Sequence, residues 1–240
     1  MKNLAIYTCA GYPQKNSLLD ILPALSANKV RYIEVGIPYS DPLADGPKLQ
    51  AVHQKALANG IKIKDIFGQL ESLNLESKVL IMCYFNSFLQ YGAEAFLQAC
   101  KQAKVESLII PDLPFDYYQE HYESLFNSYG IGMVFLIAPT SSEEDIKKYS
   151  SASSPFIYAL SASSTTGSKQ LQLSNSYGAS QLKSLSTPVY LGFNIKSKED
   201  VQMALNKADG AIIGTAFAEA IAQAKDVKQA TNSFIQSLQA

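Results

Sequence analysis

The sequence predicts a (β/α)8 TIM barrel that forms a single domain over residues 1–240. Two patterns predict it: eight short apolar runs recur along the chain, and amphipathic helical segments separate them. The length also suits a barrel, since barrels of this class commonly have about 250 residues. An open doubly wound sheet of similar strand count remains the alternative, because barrel closure cannot be read from periodicity.

Each predicted strand is a nearly continuous apolar run, as expected for parallel strands that are covered by helices. In chain order the runs are residues 4–8 (LAIYT), 32–36 (YIEVG), 79–84 (VLIMCY), 107–110 (SLII), 132–137 (GMVFLI), 156–160 (FIYAL), 189–193 (VYLGF) and 210–214 (GAIIG).

The helical segments place apolar residues at the three- and four-residue spacing of one helix face. They cover residues 17–28, 49–59, 63–73, 93–100, 117–129, 143–150, 179–185, 198–208 and 227–238. Pro23 should kink or shorten the first helix, because proline lacks the amide hydrogen that the helix needs. Asp226 is the predicted N-cap of the last helix.

Composition excludes several classes of function. The formal net charge is −1 and no block of Lys or Arg occurs, so neither nucleic acid nor an anionic membrane is an expected partner. The three cysteines fit neither a disulfide framework nor a metal motif, which indicates reduced thiols in a cytoplasmic protein. The chain has two histidines, so no metal site is expected, and His53 is expected at the surface or partly buried on its helix.

Glu34 is a carboxylate inside a predicted apolar strand. Because side chains alternate along a strand, the apolar Ile33 and Val35 should face the helices. Glu34 should then face the barrel interior near the C-terminal end of its strand, where barrel active sites are built. Partial burial should raise its pKa, which suits a general acid/base. The alternative is an interior glutamate held in an ion pair.

Two aspartates, Asp41 and Asp45, lie in the loop that follows this strand (PYSDPLADGP, residues 38–47). Aspartate in such loops is usually a turn former or a helix cap, so neither residue alone indicates a site. Three prolines, Pro42 among them, fix φ and make the loop stiff. A stiff acidic loop beside an inward Glu34 is suited to present a second carboxylate.

Gly192 and Gly214 lie at the ends of the last two predicted strands. Glycine lets backbone amides approach an anion closely, and a short helix starting near Thr215 would add its N-terminal dipole. Barrels often bind phosphate after strands seven and eight, so these residues predict a phosphate site. The alternative is that both glycines serve close packing only.

Aromatic residues at several strand ends are candidates to line a pocket, with ordinary core packing as the alternative. These residues are Tyr7, Tyr84, Tyr158 and Phe193. Cys9 has no base near it in sequence, so a packing role is expected for it rather than a nucleophilic one.

The segment IEVGIPYSDPLADGPKLQ (residues 33–50) closely resembles the signature of the tryptophan synthase α subunit family. The resemblance extends over almost the full length, through YTCAGYP (7–13), MCYFNSFLQYG (82–92), LIIPDLP (108–114) and GTAF (214–217). It implies a (β/α)8 barrel that cleaves indole-3-glycerol phosphate, a small phosphorylated substrate, to indole and glyceraldehyde 3-phosphate. It also implies an αββα heterotetramer, in which indole passes to a β subunit that carries pyridoxal phosphate (PLP), and no cofactor in this chain.

The resemblance also implies roles for particular residues. Glu34 would be the acid/base that protonates the indole ring and takes the proton of the glycerol hydroxyl, and Asp45 would hold the indole N–H. Asp41 and Pro42 match the loop that touches the β subunit. The residues matched to the substrate walls and to the closing sixth loop are Tyr158, Thr166, Gly167, Gly192, Phe193, Gly214 and Thr215.

Three positions depart from the family pattern. Ala162 replaces an expected arginine and Ser164 an expected glycine in the sixth loop, which spans residues 161–176. The first change removes a cation and the second a flexible hinge. Asn194 stands where a phosphate-contacting glycine is usual, although asparagine tolerates unusual φ angles better than most residues.

These departures leave more than one functional hypothesis. The first is an active lyase, supported by the intact pair Glu34 and Asp45. The second is a subunit that binds and activates the β subunit with little lyase chemistry of its own, supported by the three departures. An unrelated phosphate-binding barrel, such as an isomerase, is a third hypothesis.

Overall fold

The computed structural model describes residues 3–160, 182–192 and 194–238 of the chain. Nine strands within these ranges form one sheet, and all the strand pairs among them are parallel. In chain order they are β1 (Leu4–Cys9), β2 (Tyr32–Gly36), β3 (Lys78–Met82), β4 (Val105–Ile109), β5 (Gly132–Met133), β6 (Leu136–Ile137), β7 (Ile157–Leu160), β8 (Val189–Gly192) and β9 (Gly210–Ile213).

The sheet closes into a barrel through the short strands β5 and β6. These strands stand at the two ends of the hydrogen-bonded order β5-β4-β3-β2-β1-β9-β8-β7-β6, yet they are halves of one segment. The amide of Val134 donates to Leu108 O on one side of that segment, at 2.9 Å. The amide of Tyr158 donates to Phe135 O on the other side, also at 2.9 Å. The predicted (β/α)8 barrel is therefore confirmed, and the open doubly wound sheet is excluded.

Helices cover the outside of the barrel. Their bounds are α1 (Leu18–Ala27), α2 (Pro47–Ala58), α3 (Ile63–Glu71), α4 (Phe85–Tyr91), α5 (Ala93–Gln102), α6 (Phe115–His121), α7 (Glu123–Tyr129), α8 (Glu143–Ala152), α9 (Lys198–Leu205), α10 (Thr215–Ile221) and α11 (Val227–Ser237). Residues 179–181 of the predicted helix 179–185 lie outside the described residues.

Some helical predictions are confirmed and others are wrong. Asp226 caps α11, because its Oδ1 atom accepts the amide of Gln229 at 2.8 Å. α1 is not shortened by Pro23, and its buried apolar face offsets the lost amide donor. The single helix predicted over 117–129 is instead two helices, α6 and α7, which meet at Tyr122.

The barrel interior is filled by its own apolar layer. Tyr32 packs edge-on against Phe156 with ring centroids 5.1 Å apart, and Phe156 stacks on Tyr190 at 4.4 Å. The full layer is Ala5, Tyr32, Leu80, Ile109, Val134, Phe156, Tyr190 and Ile212. Since these side chains plug the cylinder, the next inward positions toward the C-terminal strand ends form the floor of any site.

No helix in the described ranges combines the length and the apolar character that a bilayer-spanning segment needs.

Candidate active site

Glu34 lies at the first inward position above the apolar plug. Its neighbours Ile33 and Val35 pack in the cluster formed by the sheet and the helices, whereas Tyr32, two residues earlier, belongs to the barrel interior. The strand register places Glu34 directly beside Tyr7 of β1. The inward orientation expected from alternation is therefore confirmed.

The Glu34 carboxyl is buried, and one of its oxygens lacks a hydrogen-bond partner in the described part of the chain. Its residue is 2 % exposed, and its Oε2 atom has no hydrogen-bond partner among the described residues. No cation in the described ranges forms an ion pair with it, so the ion-paired alternative finds no support there. Burial, and secondarily the charge of Asp45, raise the pKa of Glu34 from 4.5 to about 8. Near neutral pH this carboxyl is therefore mostly protonated.

Asp45 is a second carboxyl at the same mouth of the barrel, and its surroundings differ from those of Glu34. The Tyr84 hydroxyl donates to its Oδ2 atom at 2.7 Å, and the Ala44 amide in turn donates to the Tyr84 oxygen at 3.0 Å. The pKa of Asp45 is raised from its usual value, because burial outweighs the opposing effects of the Tyr84 hydrogen bond and the neighbouring His53. Unlike Glu34 Oε2, Asp45 Oδ2 therefore has a hydrogen-bond donor that stabilises the anionic form.

His53 is a site residue that the sequence analysis missed. It is 2 % exposed, which contradicts the expected surface or partly buried position. Its Nε2 atom lies 3.1 Å from the Tyr7 hydroxyl and 3.5 Å from Asp45 Oδ2, and its Nδ1 atom accepts the Tyr39 amide at 3.0 Å. The signal was present: Val52 and Ala56 flank it on the buried face of α2, so helical periodicity places His53 inward.

Two glycines make room for tyrosine hydroxyls above the plug. A Cβ atom on Gly36 would lie 2.4 Å from the Tyr7 hydroxyl oxygen, and one on Gly192 would lie 2.4 Å from that of Tyr158. Any larger residue would displace these rings. The close-packing alternative for Gly192 is therefore supported, and it brings Tyr158 into the site.

The expected phosphate end is described only in part. Gly214 stands directly before α10, which begins at Thr215 as predicted. Asn194 is exposed and has a φ of +60°, in the left-handed region that asparagine tolerates. Thr166, Gly167, Phe193 and the departures Ala162 and Ser164 lie outside the described residues.

The loop between β2 and α2 combines a fixed inner part with an exposed tip. The Asp45 amide donates to Pro42 O at 3.0 Å, and Pro42 is buried. Asp41 is exposed, and Leu43 is 88 % exposed. The loop thus turns Asp45 inward and presents Asp41 and Leu43 outward.

Neither metal ligands nor activated thiols stand out at this site. No group of three or more His, Cys, Asp or Glu side chains suited to a metal ion occurs within residues 3–160, 182–192 and 194–238. Cys9 is buried, and burial raises the pKa of its thiol, which disfavours the nucleophilic thiolate.

Comparison with known proteins agrees with this geometry. The family model described as tryptophan synthase alpha chain matches residues 1–240. A tryptophan synthase alpha chain from Flavobacterium johnsoniae is 44 % identical over 222 residues, covering 90 % of this chain and 87 % of that one.

Solved structures show the same relationship. The tryptophan synthase A-subunit from Pyrococcus furiosus has a TM-score of 0.89 at 28 % identity, covering 99 % of this chain and 98 % of that one. A tryptophan synthase complex from the same organism has a TM-score of 0.88 at 27 % identity, covering 99 % and 97 %. With two carboxyls at the barrel mouth and a family match over its whole length, the chain belongs to the tryptophan synthase alpha chain family.

Proposed function

We propose that this chain cleaves indole-3-glycerol phosphate with Glu34 as the acid/base and Asp45 as the carboxylate that holds the indole N–H. The family's α reaction is a carbon–carbon lyase reaction that yields indole and glyceraldehyde 3-phosphate. The single observation that carries the assignment is the inward, buried carboxyl of Glu34, whose Oε2 atom has no hydrogen-bond partner among the described residues and whose pKa is raised to about 8. A carboxyl that is protonated near neutral pH can donate a proton to carbon.

The proposed chemistry uses the two carboxyls in sequence. Protonated Glu34 gives its proton to C3 of the indole ring, which places a positive charge on the ring nitrogen. Asp45 accepts the hydrogen bond of that N–H and stabilises the charge. Glu34, now a carboxylate, takes the proton of the adjacent glycerol hydroxyl. The C–O bond becomes the aldehyde, and the electrons of the broken C–C bond return to the ring and neutralise it.

We also propose the substrate contacts that surround these carboxyls. Tyr7 and Tyr158 would line the indole pocket, a role supported by the glycines that accommodate their rings. The phosphate would bind where β9 ends and α10 begins. The proposed phosphate and closing-loop residues are Thr166, Gly167, Gly192, Phe193, Asn194, Gly214 and Thr215.

A tryptophan synthase β subunit is the proposed partner, in an αββα heterotetramer with PLP in the β subunit. The P. furiosus neighbour is a tryptophan synthase complex, which supports such a partner. We propose that Asp41 and Pro42 belong to the docking loop, since the loop tip is exposed at Leu43. Substitution of Leu43 by Asp should then weaken co-elution of the two subunits in gel filtration, and unchanged co-elution would exclude this loop.

Two further assignments follow from the family. We propose that residues 1–240 form one domain, which is supported by a hydrophobic cluster shared by residues from Leu4 to Leu238. We place the protein in the cytoplasm, consistent with three free, buried thiols at Cys9, Cys83 and Cys100.

A subunit that only activates its partner is not favoured, because both carboxyls are in place in a member of a lyase family. The test is an assay of indole release from indole-3-glycerol phosphate, with and without the β subunit. We expect wild type to release indole and Glu34→Gln to lose at least about a hundredfold in turnover, as is typical when a general acid is removed. Full activity of Glu34→Gln would reject the assignment.

A further inference from the structure

We infer that His53 is a positioning residue for the cleavage reaction: its imidazole ties the Tyr7 hydroxyl and the Asp45 carboxylate into one fixed arrangement at the barrel mouth. The inference rests on the proposed function, which gives Asp45 its role, and it adds a residue to that site.

The position of His53 joins three separate parts of the chain. The residue lies on α2, and its ring reaches Tyr7 on β1 and the backbone of Tyr39 in the loop after β2. The same ring lies 3.5 Å from Asp45, in the segment just before α2. A side chain that only filled space would need none of these polar contacts, whereas both ring nitrogens of His53 are engaged.

The backbone contact fixes which nitrogen carries the proton. The Tyr39 amide can only donate, so the Nδ1 atom of His53 must be unprotonated to accept it. The hydrogen of the neutral ring is therefore on Nε2, between the Tyr7 oxygen and Asp45 Oδ2. Burial lowers the pKa of His53, which agrees with a neutral ring.

This tautomer directs the Nε2–H side of the His53 ring toward Tyr7 and Asp45. The Tyr84 hydroxyl and the Nε2–H group of His53 both approach the Oδ2 atom. Among the described residues, no hydrogen bond is made to Oδ1 by a side chain, so Oδ1 is the oxygen available to the indole N–H. The Tyr84 hydrogen bond to Oδ2 holds the plane of the carboxylate. The Nε2–H group of His53, bonded to Tyr7 and 3.5 Å from Oδ2, adds a favourable dipole that stabilises the anionic form when positive charge develops on the ring nitrogen.

Two variants of His53 test the roles of the two ring nitrogens separately. In His53→Asn the side-chain oxygen can replace Nδ1 and accept the Tyr39 amide, but nothing replaces the Nε2 donor. In His53→Gln the amide nitrogen can reach the Nε2 position. We expect His53→Gln to stay within about threefold of wild type and His53→Asn to lose about tenfold or more in kcat, with a smaller change in KM, the loss typical of a hydrogen bond to a charged group.

A double-mutant cycle distinguishes positioning from general destabilisation. If His53 acts through Asp45, adding His53→Asn to Asp45→Asn should cost little further activity. Equal activity of His53→Asn and His53→Gln, or a fully additive loss in the double variant, would overturn the inference.

The tautomer of His53 can be measured without any catalytic activity, so this test of His53 does not depend on the proposed function. Nitrogen-15 NMR of the imidazoles should show His53 with a protonated Nε2 and an accepting Nδ1. Because the chain has only one other histidine, the exposed His121, the His121→Gln variant assigns the signals. The opposite tautomer would reject the role of His53, whereas a wild type without indole release would reject the lyase assignment instead.

Discussion

Tyr84 donates its hydroxyl hydrogen to Oδ2 of Asp45 at 2.7 Å. Burial alone would raise the pKa of this carboxyl as it does for Glu34, but Tyr84 and His53 oppose that effect at Asp45. The two carboxyls at the barrel mouth therefore differ in environment: Asp45 Oδ2 has a donor that stabilises the anion, and Glu34 Oε2 has none among the described residues. Such a difference suits one carboxyl to act as an acid and the other as an electrostatic stabiliser.

Tyr84→Phe removes the donor without removing the ring. We expect the pKa of Asp45 to rise further and kcat/KM to fall by about ten- to a hundredfold, the range typical of a hydrogen bond to a charged group. Steady-state kinetics with indole-3-glycerol phosphate measure this. Tyr117→Phe, at an exposed position of α6, is the matched control and should be neutral. Equal activity of the two variants would remove Tyr84 from the site.

The pH dependence of cleavage should report the protonation of Glu34. The proposed reaction starts from the protonated carboxyl, whose pKa is about 8 in the folded protein. We therefore expect kcat/KM to fall tenfold per pH unit above that value. A kcat/KM that stays flat to pH 10 would contradict Glu34 as the proton donor.

The ionisation of Glu34 should also lower the free energy of unfolding as the pH rises. Its folded pKa is raised above the unfolded value near 4.5, so its stabilising effect is complete below pH 4.5 and is lost toward pH 8. At pH 7 the free energy of unfolding should be lower than below pH 4.5 by an amount on the order of 3 kcal/mol.

The variant Glu34→Gln has no such titration. We expect its free energy of unfolding to exceed that of wild type by an amount that grows between pH 5 and pH 8, as measured by urea denaturation. A constant offset would reflect packing alone, so the change with pH is the informative quantity. A wild-type curve parallel to that of Glu34→Gln would mean that the pKa of Glu34 is not raised.

The spacing of apolar residues predicted the order of strands and helices and the inward position of Glu34, because each depends on local sequence. Closure of the barrel depends instead on hydrogen bonds such as those of the Val134 and Tyr158 amides, which local spacing does not reveal. The spacing also failed where a distant residue decides the local structure. At the start of α4, the Phe85 amide donates to the Asp112 carboxylate, which lies in the loop after β4. The sequence around Phe85 gives no sign of this contact. The network of His53 likewise depends on Tyr7 and Tyr39, which only the closed barrel brings to it.

Gly192→Ala should disturb the site more than the fold. The new Cβ atom would lie 2.4 Å from the Tyr158 hydroxyl, so the ring must move out of its position. We expect the KM for indole-3-glycerol phosphate to rise. Gly68→Ala is the control: that glycine lies within α3 with open space around it, so the change should stabilise the protein by about 0.5–1 kcal/mol. Unchanged kinetics in Gly192→Ala would place Tyr158 away from the substrate.

Asn194 allows the departure from the family's glycine to be tested directly. Its φ of +60° suits glycine best, asparagine less well and alanine poorly. Asn194→Gly should therefore keep or slightly increase the free energy of unfolding, whereas Asn194→Ala should lower it by roughly 1 kcal/mol. Urea denaturation of the three proteins measures this order.

The kinetic effect of Asn194→Gly distinguishes two roles for the side chain. If the asparagine crowds the phosphate, its removal should lower the KM for indole-3-glycerol phosphate while kcat changes little, because the lost clash affects binding rather than chemistry. A higher KM in Asn194→Gly would instead mean that the Asn194 amide donates to the phosphate. Indole-3-glycerol, which lacks the phosphate, is the control substrate, and its KM should be the same for both proteins.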